Sequence, residues 1–248
     1  MIKENPYSYL IIVVRAKGGP IMRILFWDID GTLLKTGKAG LYAFEQVIQE
    51  VLNYPVDFST IKVAGMTDYY IAHQAMQFAT GREPTHQELC HLLHRYEEIL
   101  PSHLAARQGF LTPSVQEILT YLHNQRDYAS LLLTGNTSIG AKAKLTHYKL
   151  DGFFDFTASA FCDSCFNRTD ISSQALAIVK ERYPSIPLDH IYVIGDTPND
   201  IHCGKAIGVR TIAVATGSFS VEELEVFSPW WAIPSLPSPL EFIKKINQ

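Results

Sequence analysis

Two aspartates one residue apart, Asp28 and Asp30, close the apolar run Phe26-Trp27 and are followed at once by Gly31-Thr32. Carboxylates this close repel each other unless a cation separates them. With Mg²⁺ present the pair becomes a tool for phosphoryl transfer. Asp28 can attack phosphorus and form an aspartyl-phosphate, which divides one hard displacement into two easier ones. Asp30 can protonate the leaving oxygen and then take a proton from the attacking water. Taken alone, the segment also describes surface aspartates at a strand end.

Two further segments carry groups suited to the same chemistry. Leu131-Leu132-Leu133-Thr134-Gly135-Asn136 again ends an apolar run in small polar residues. The Thr134 hydroxyl and the backbone N–H groups of Gly135 and Asn136 can hold phosphate oxygens, although Thr and Asn are equally ordinary where a helix starts. Ile194-Gly195-Asp196-Thr197-Pro198-Asn199-Asp200 delivers Asp196 from another apolar run, and Pro198 suits the first turn of a following helix. Mg²⁺ takes octahedral oxygen ligands, usually one or two carboxylates with water and substrate phosphate. Asp28 and Asp196 are the expected carboxylates. Asp200, one turn further on, is placed to orient water or the ion, with helix capping as the plainer alternative.

The elements that must bring these segments together are legible in the apolar spacing. Residues 24–27, 129–133, 191–194 and 211–215 read as buried parallel strands, with a weaker strand at 153–157. Helical patterns at 114–125, 138–149, 172–182 and 199–206 alternate with them. The expected fold class is therefore α/β, a doubly wound parallel sheet with a Rossmann-like core. In such sheets ligands sit beyond the carboxyl ends of the strands, where Asp28, Thr134 and Asp196 all fall. Residues 38–108 break the rhythm with helical stretches at 40–53, 68–79 and 85–106, punctuated by Gly65, Gly81 and Pro84. They are expected to form a helical cap inserted into a core of residues 22–37 and 109–248. The Pro/Ser-rich stretch 228–239 reads as surface loop before a last helix at 239–246. Gly18-Gly19-Pro20 interrupts the chain before Met22, so residues 1–21 read as a poorly ordered extension or a start codon assigned too early.

With DxDGT at Asp28–Thr32, the strand-terminal Thr134 and GDxxxD at Gly195–Asp200 in this order, the chain resembles the haloacid dehalogenase superfamily, in the branch similar to phosphoglycolate phosphatases. The resemblance runs from about Met22 to the C-terminus. It implies Asp28 as nucleophile and Asp30 as acid/base that also gives its backbone carbonyl to Mg²⁺. It implies Asp196 as metal ligand and 38–108 as the cap. Family members that displace halide use neither the second aspartate nor Mg²⁺, so Asp30 and Asp196 favour phosphoryl transfer. A lysine usually precedes GDxxxD and balances the nucleophile's charge. Here the stretch reads Asn167-Arg168-Thr169-Asp170, which makes Arg168 the expected cation and Lys205 the fallback. The turn Gly65-Met66-Thr67-Asp68 resembles one that the family directs at the active site. Thr67 and Asp68 are thus expected either to contact a hydroxylated leaving group or to cap a helix.

The whole chain is compatible with this chemistry. Its 248 residues are 47% hydrophobic and 19% charged, with a net charge of -4. That balance offers no footprint for nucleic acid and no basic cluster for a membrane surface. The run Leu10 to Val14 is too short to span a bilayer and lacks a signal peptide's flanks. Four cysteines make no disulfide scaffold, and the lone Cys162-x-x-Cys165 lacks the ligand count of a zinc site. Reduced thiols in a cytoplasmic protein are expected. His73, His86, His91, His94 and His103 crowd the cap without a ligand motif. Arg82, Arg95 and Arg107 are candidates for a substrate carboxylate. The expected partner is a small-molecule phosphate ester and the expected reaction is its hydrolysis. A phosphosugar mutase on the same core and a non-catalytic ligand-binding protein are the alternatives. Oligomeric state is not legible.

Overall fold

The computed structural model describes residues 22–55, 57–58, 61, 63–163 and 167–248. The expected extension at 1–21, and Cys165 with it, lie outside these residues. Strand β1 (Arg23–Trp27) leads to β2 (Leu34–Lys35), then to helices α1 (Ala39–Leu52), α2 (Asp68–Thr80) and α3 (His86–Ala105). The chain returns through β3 (Phe110–Leu111), α4 (Val115–His123), β4 (Tyr128–Leu132), α5 (Ser138–His147) and α6 (Arg168–Arg182). It ends with β5 (Ile191–Gly195), α7 (Pro198–Ala206), β6 (Arg210–Val214), α8 (Val221–Glu225), β7 (Trp231–Ile233) and α9 (Pro239–Ile246).

The main sheet has the order β4-β1-β5-β6-β7 and is parallel throughout. Alternation along β1 splits its side chains between two cores, as a pleat requires. Ile24 and Phe26 join a cluster that also holds Phe44, Leu92, Tyr96 and Leu100 of α1 and α3. Leu25 and Trp27 face the other cluster, where Trp27 lies 6.0 Å from Phe242 of α9, ring centroid to centroid. Trp27 pairs with Leu132 on one side and Ile194 on the other. The three strands therefore end at one edge of the sheet, with Asp28 directly after Trp27 and Thr134 and Asp196 two residues after its partners Leu132 and Ile194. β2 and β3 pair antiparallel, Leu34 against Leu111, and so stitch together the outgoing and returning connections of α1–α3.

The structure departs from the sequence reading in three places. Residues 153–157 form no strand: Asp151–Phe153 and Phe156–Ala158 are 3-10 turns, and strand-like pairing is confined to an isolated bridge just past β4, Leu133 to Ala160. Asp155 accepts hydrogen bonds from Thr157 N at 2.9 Å and Thr157 Oγ1 at 2.6 Å, a local closure that competes with a ladder. The stretch 228–239 is not all loop, since Trp231–Ile233 adds an edge strand beside β6. It is three residues long and flanked by Pro229 and Pro234, a pattern that edge positions tolerate. Finally, α6 begins at Arg168, four residues before the predicted start, which puts a cation on its first turn. Among the described residues no helix is long and apolar enough to cross a membrane.

Candidate active site

At the strand edge the backbone of Asp28 remains tied to the sheet, its N–H donating to Ile194 O at 2.9 Å, and its carboxylate is buried. Gly31 then turns the chain with φ +88°, and any side chain there would strike Asp196: a Cβ would lie 2.4 Å from Asp196 Oδ2. Gly217 closes the opposite wall just as tightly, its hypothetical Cβ 1.7 Å from the same oxygen. Thr32 Oγ1 donates to Asp196 Oδ1 at 2.8 Å. The Asp196 carboxylate thus lies in a niche with one oxygen tethered and the other bordered by two glycines.

Asp28, Asp196 and Asp200 each offer an oxygen within 4.8 Å of the others, and all three residues are buried. Burial raises Asp28 from the ordinary 3.8 to about 7; Arg168 opposes this, the charges of Asp200 and Asp30 add to it, and a hydrogen bond from Thr134 opposes it. Asp196 is pushed well above its usual range, by burial first and then by Asp200 and Asp28. Arg168 places Nη2 3.2 Å from Asp28 Oδ1 and also hydrogen-bonds Asp200 Oδ1. Burial works against the guanidinium, but the two carboxylates outweigh it and hold its charge more firmly than usual. A cation in the first turn of α6 has the wrong sign for the helix dipole; the carboxylates it meets offset that. Asp200 Oδ2 accepts from Thr197 N at 3.0 Å and Thr197 Oγ1 at 2.6 Å, so both of its oxygens are engaged within the protein.

A second set of contacts surrounds Asp30. Its Oδ2 accepts from Asn136 Nδ2 at 2.9 Å and from Lys144 Nζ at 2.5 Å. Lys144 also reaches Asn136 Oδ1, and Asn136 Nδ2 reaches Thr134 Oγ1 at 2.8 Å. A continuous chain therefore runs from Asp28 through Thr134 and Asn136 to Asp30 and Lys144. Thr137, not Thr134, caps α5. The Asn136 N–H donates to Thr134 Oγ1 at 3.3 Å, and its side chain holds Asp30. Sequence reasoning missed Lys144. It lies on the α5 face of Gly140 and Ala141, which is buried, while apolar Ile139 is 56% exposed, a reversal that apolar spacing does not signal.

The turn before α2 docks onto this network. Asp68 N donates to Gly135 O at 2.7 Å, and Asp68 Oδ2 accepts from Thr137 N at 3.0 Å. Gly65 O accepts from Asn199 Nδ2 at 2.8 Å and from Arg168 Nη1 at 3.4 Å. Thr67 caps α2, its Oγ1 accepting from Tyr70 N at 3.0 Å. Burial raises Asp68 to about 6, against the pull of Lys144 and the Thr137 N–H. Between turn and sheet edge lies a cavity of about 510 Å³ whose lining includes Asp28, Asp30, Asp196, Arg168 and Lys144. Leu41, Phe44, Met66 and Ile71 form its apolar side, and the buried Tyr96 hydroxyl meets no hydrogen-bond partner among the described residues.

Other candidates lie elsewhere. Lys205 is exposed on α7 and lines a separate depression with Asp189 and Trp230. Arg82 pairs with Glu88, Arg95 with Glu50 and Glu98, and Arg107 lies 3.9 Å over the Tyr42 ring. His86 meets Tyr69 Oη at 2.9 Å and His103 meets Gln46 at 2.7 Å. Among the described residues the aspartates are the only metal-capable cluster of three. The three clustered carboxylates, Asp28, Asp196 and Asp200, outnumber the one cation that meets them, Arg168, a set suited to a divalent ion with hard oxygen ligands.

Comparison with known proteins agrees with this geometry. Among curated protein sequences none matches the chain. A haloacid dehalogenase hydrolase of family IA, variant 3, from Entamoeba histolytica superposes with TM-score 0.70 at 18% identity, covering 92% of this chain and all of its own. A Bacteroides vulgatus protein provisionally named a β-phosphoglucomutase gives 0.66 at 16%, covering 93% of this chain and 90% of its own. A predicted phosphoglycolate phosphatase from Haemophilus somnus gives 0.64 at 16%, with 92% and 98% covered. At such identities the likeness is one of fold. The family model for haloacid dehalogenase-like hydrolases matches residues 24–214, from the first strand of the sheet to the end of β6 and across every carboxylate of the cluster, and the chain belongs to that family.

Proposed function

We propose that the protein is a Mg²⁺-dependent phosphatase that hydrolyses a small-molecule phosphate monoester by way of a phosphoryl group carried on Asp28. The observation that carries this reading is the buried meeting of Asp28 and Asp196, backed by Asp200, beside a cavity whose lining includes Asp28, Asp196, Arg168 and a tethered Asp30. Asp28 and Asp196 would hold the ion together with the backbone carbonyl of Asp30, whose side chain is committed to Asn136 and Lys144. Asp200, engaged on both oxygens, orients Arg168. Bound there, Mg²⁺ neutralises charge on the transferring phosphoryl oxygens.

In the first step a carboxylate oxygen of Asp28 bonds to phosphorus as the ester P–O bond breaks. Asp30 passes its proton to the departing alkoxide, which leaves as an alcohol. In the second step a water oxygen bonds to phosphorus and the P–O bond to Asp28 breaks. The water's proton goes to Asp30, so inorganic phosphate is released and both aspartates return to their starting states. Arg168 and Thr134 stand beside Asp28 to hold the phosphoryl group. Helices α1–α3 act as the cap that closes the cavity against bulk water.

A panel of phosphorylated metabolites, assayed for phosphate release with and without Mg²⁺, tests the reading. Mg²⁺-dependent release is expected. Conversion of a sugar phosphate to its isomer without release would redirect it to mutase chemistry, and no turnover of any ester would contradict it.

Two further outcomes follow from the site. In the metal-free protein Asp28 is held up to about 7, so an ion entering below that pH must displace a proton. The Mg²⁺ concentration for half-maximal activity is expected to rise as pH falls through and below about 7, with Asp196, also raised by burial, adding to the competition by protons. Metal titrations across this range give the slope, and a flat profile would contradict it. Tyr96→Phe removes a hydroxyl that has no protein partner among the described residues and lines the cavity. Its KM is expected to rise by about three- to tenfold, the worth of one neutral hydrogen bond, with no fall in melting temperature.

A further inference from the structure

We infer that Lys144 is a positioning residue which, with Asn136, selects the oxygen of Asp30 that moves the proton. The inference rests on the phosphatase reading above and deepens it. Lys144 Nζ and Asn136 Nδ2 both donate to Asp30 Oδ2, at 2.5 and 2.9 Å, and Lys144 also donates to Asn136 Oδ1, closing a ring of three contacts. Oδ1 of Asp30 accepts no hydrogen bond from the described residues, and the side chain, 43% exposed, lines the cavity. A carboxyl pinned through one oxygen presents the other in a fixed direction, whereas a free carboxyl must be ordered at each turnover.

Packing does not account for the ammonium. Lys144 is 5% exposed on a helix face it shares with Gly140 and Ala141. A methionine would fill similar space without the desolvation that a buried charge incurs. Lys144 makes no contact with Asp196 or Asp200, and its donors are directed at Asp30 and Asn136. Its hydrogen bonds therefore act on the acid/base, while its charge is also felt by the buried Asp68 and Asp28. In the first step Oδ1–H gives its proton to the leaving oxygen; in the second, Oδ1 takes one from water.

The test compares Lys144→Met with the parent, at saturating Mg²⁺, on an alkyl ester (glycerol phosphate) and on p-nitrophenyl phosphate. The ratio kcat/KM reports only the first transfer, and nitrophenolate departs without a proton while an alkoxide does not. Loss of a well-placed acid is expected to lower kcat/KM for the alkyl ester by about 10²- to 10³-fold and for the aryl ester by no more than about tenfold. With the aryl ester, a burst of nitrophenol should precede a slowed steady state, because water activation also depends on Asp30. Competitive inhibition by inorganic phosphate should be retained. Equal losses on both esters, no loss on either, or a collapse of phosphate inhibition would overturn the inference. Should Lys144→Met fail to fold, Asn136→Ala, which removes one of the two donors to Asp30 Oδ2 together with contacts to Thr134 and Lys144, is expected to show the same selective loss at smaller size. Its absence would be equally decisive. A parent that turns over neither ester would instead remove the phosphatase reading, and this inference with it.

Discussion

Replacing Asp28 by Asn is expected to abolish turnover, by at least about 10⁴-fold, the scale seen when a covalent nucleophile is lost, while raising the melting temperature of the metal-free protein. The two effects have one origin. Burial holds the folded carboxyl at about 7 against an ordinary 3.8. The unfolded chain therefore releases this proton first, and the ionised group costs stability increasingly as pH rises from the ordinary value to about 7. Asn keeps the shape, removes that cost and leaves Arg168 paired with Asp200. It also removes a proposed metal ligand, so Mg²⁺ should raise the melting temperature of the variant less than that of the parent. Thermal melts with and without Mg²⁺ read both signs.

Arg168→Ala should act in the opposite direction on stability. It leaves Asp28 and Asp200 facing each other, buried and without their cation, and breaking such a pair costs about 3–5 kcal/mol. The helix dipole alone would favour the loss of a positive charge from the first turn of α6, but by only about 0.3–1 kcal/mol, so destabilisation wins. Turnover is expected to fall by about 10²- to 10³-fold, the scale for removing one preorganised charge from a transferring group. Arg168→Lys, which restores a point charge but not the fork that spans two carboxylates, should stay within about tenfold of the parent. An alanine variant as active as the parent would remove Arg168 from the site.

The parts of this site that could be read from sequence are those where local pattern and chemistry coincide. Asp28, Thr134 and Asp196 each follow an unbroken apolar run, so strand, strand end and carboxylate or hydroxyl are written in consecutive residues. Their convergence then follows from the parallel register of Trp27 with Leu132 and Ile194. Lys144 was illegible for the converse reason. Its helix exposes Ile139 and buries a lysine, and the carboxylates that offset the burial, Asp30 first, lie far away in the sequence. The segment at 153–157 has strand composition, but Asp155 closes on Thr157 before a ladder can form. At β7 the prolines that suggested loop mark a sheet edge. Thr67 and Asp68, adjacent and alike in sequence, divide the work: one caps its own helix, the other reaches the N-terminus of α5. Nothing local separates them, because the distinction depends on how α2 docks.

The phosphoryl group proposed on Asp28 can be trapped and located. Protein mixed with a turned-over phosphate ester and Mg²⁺, quenched in acid within the first turnovers and analysed by peptide mass spectrometry, should show a phosphoryl adduct on the peptide spanning Asp28. Fragmentation should place it on that residue, and chelation of the metal should abolish it. Undiminished phosphate release in the presence of chelator, or an adduct on another residue with Asp28→Asn fully active, would contradict it.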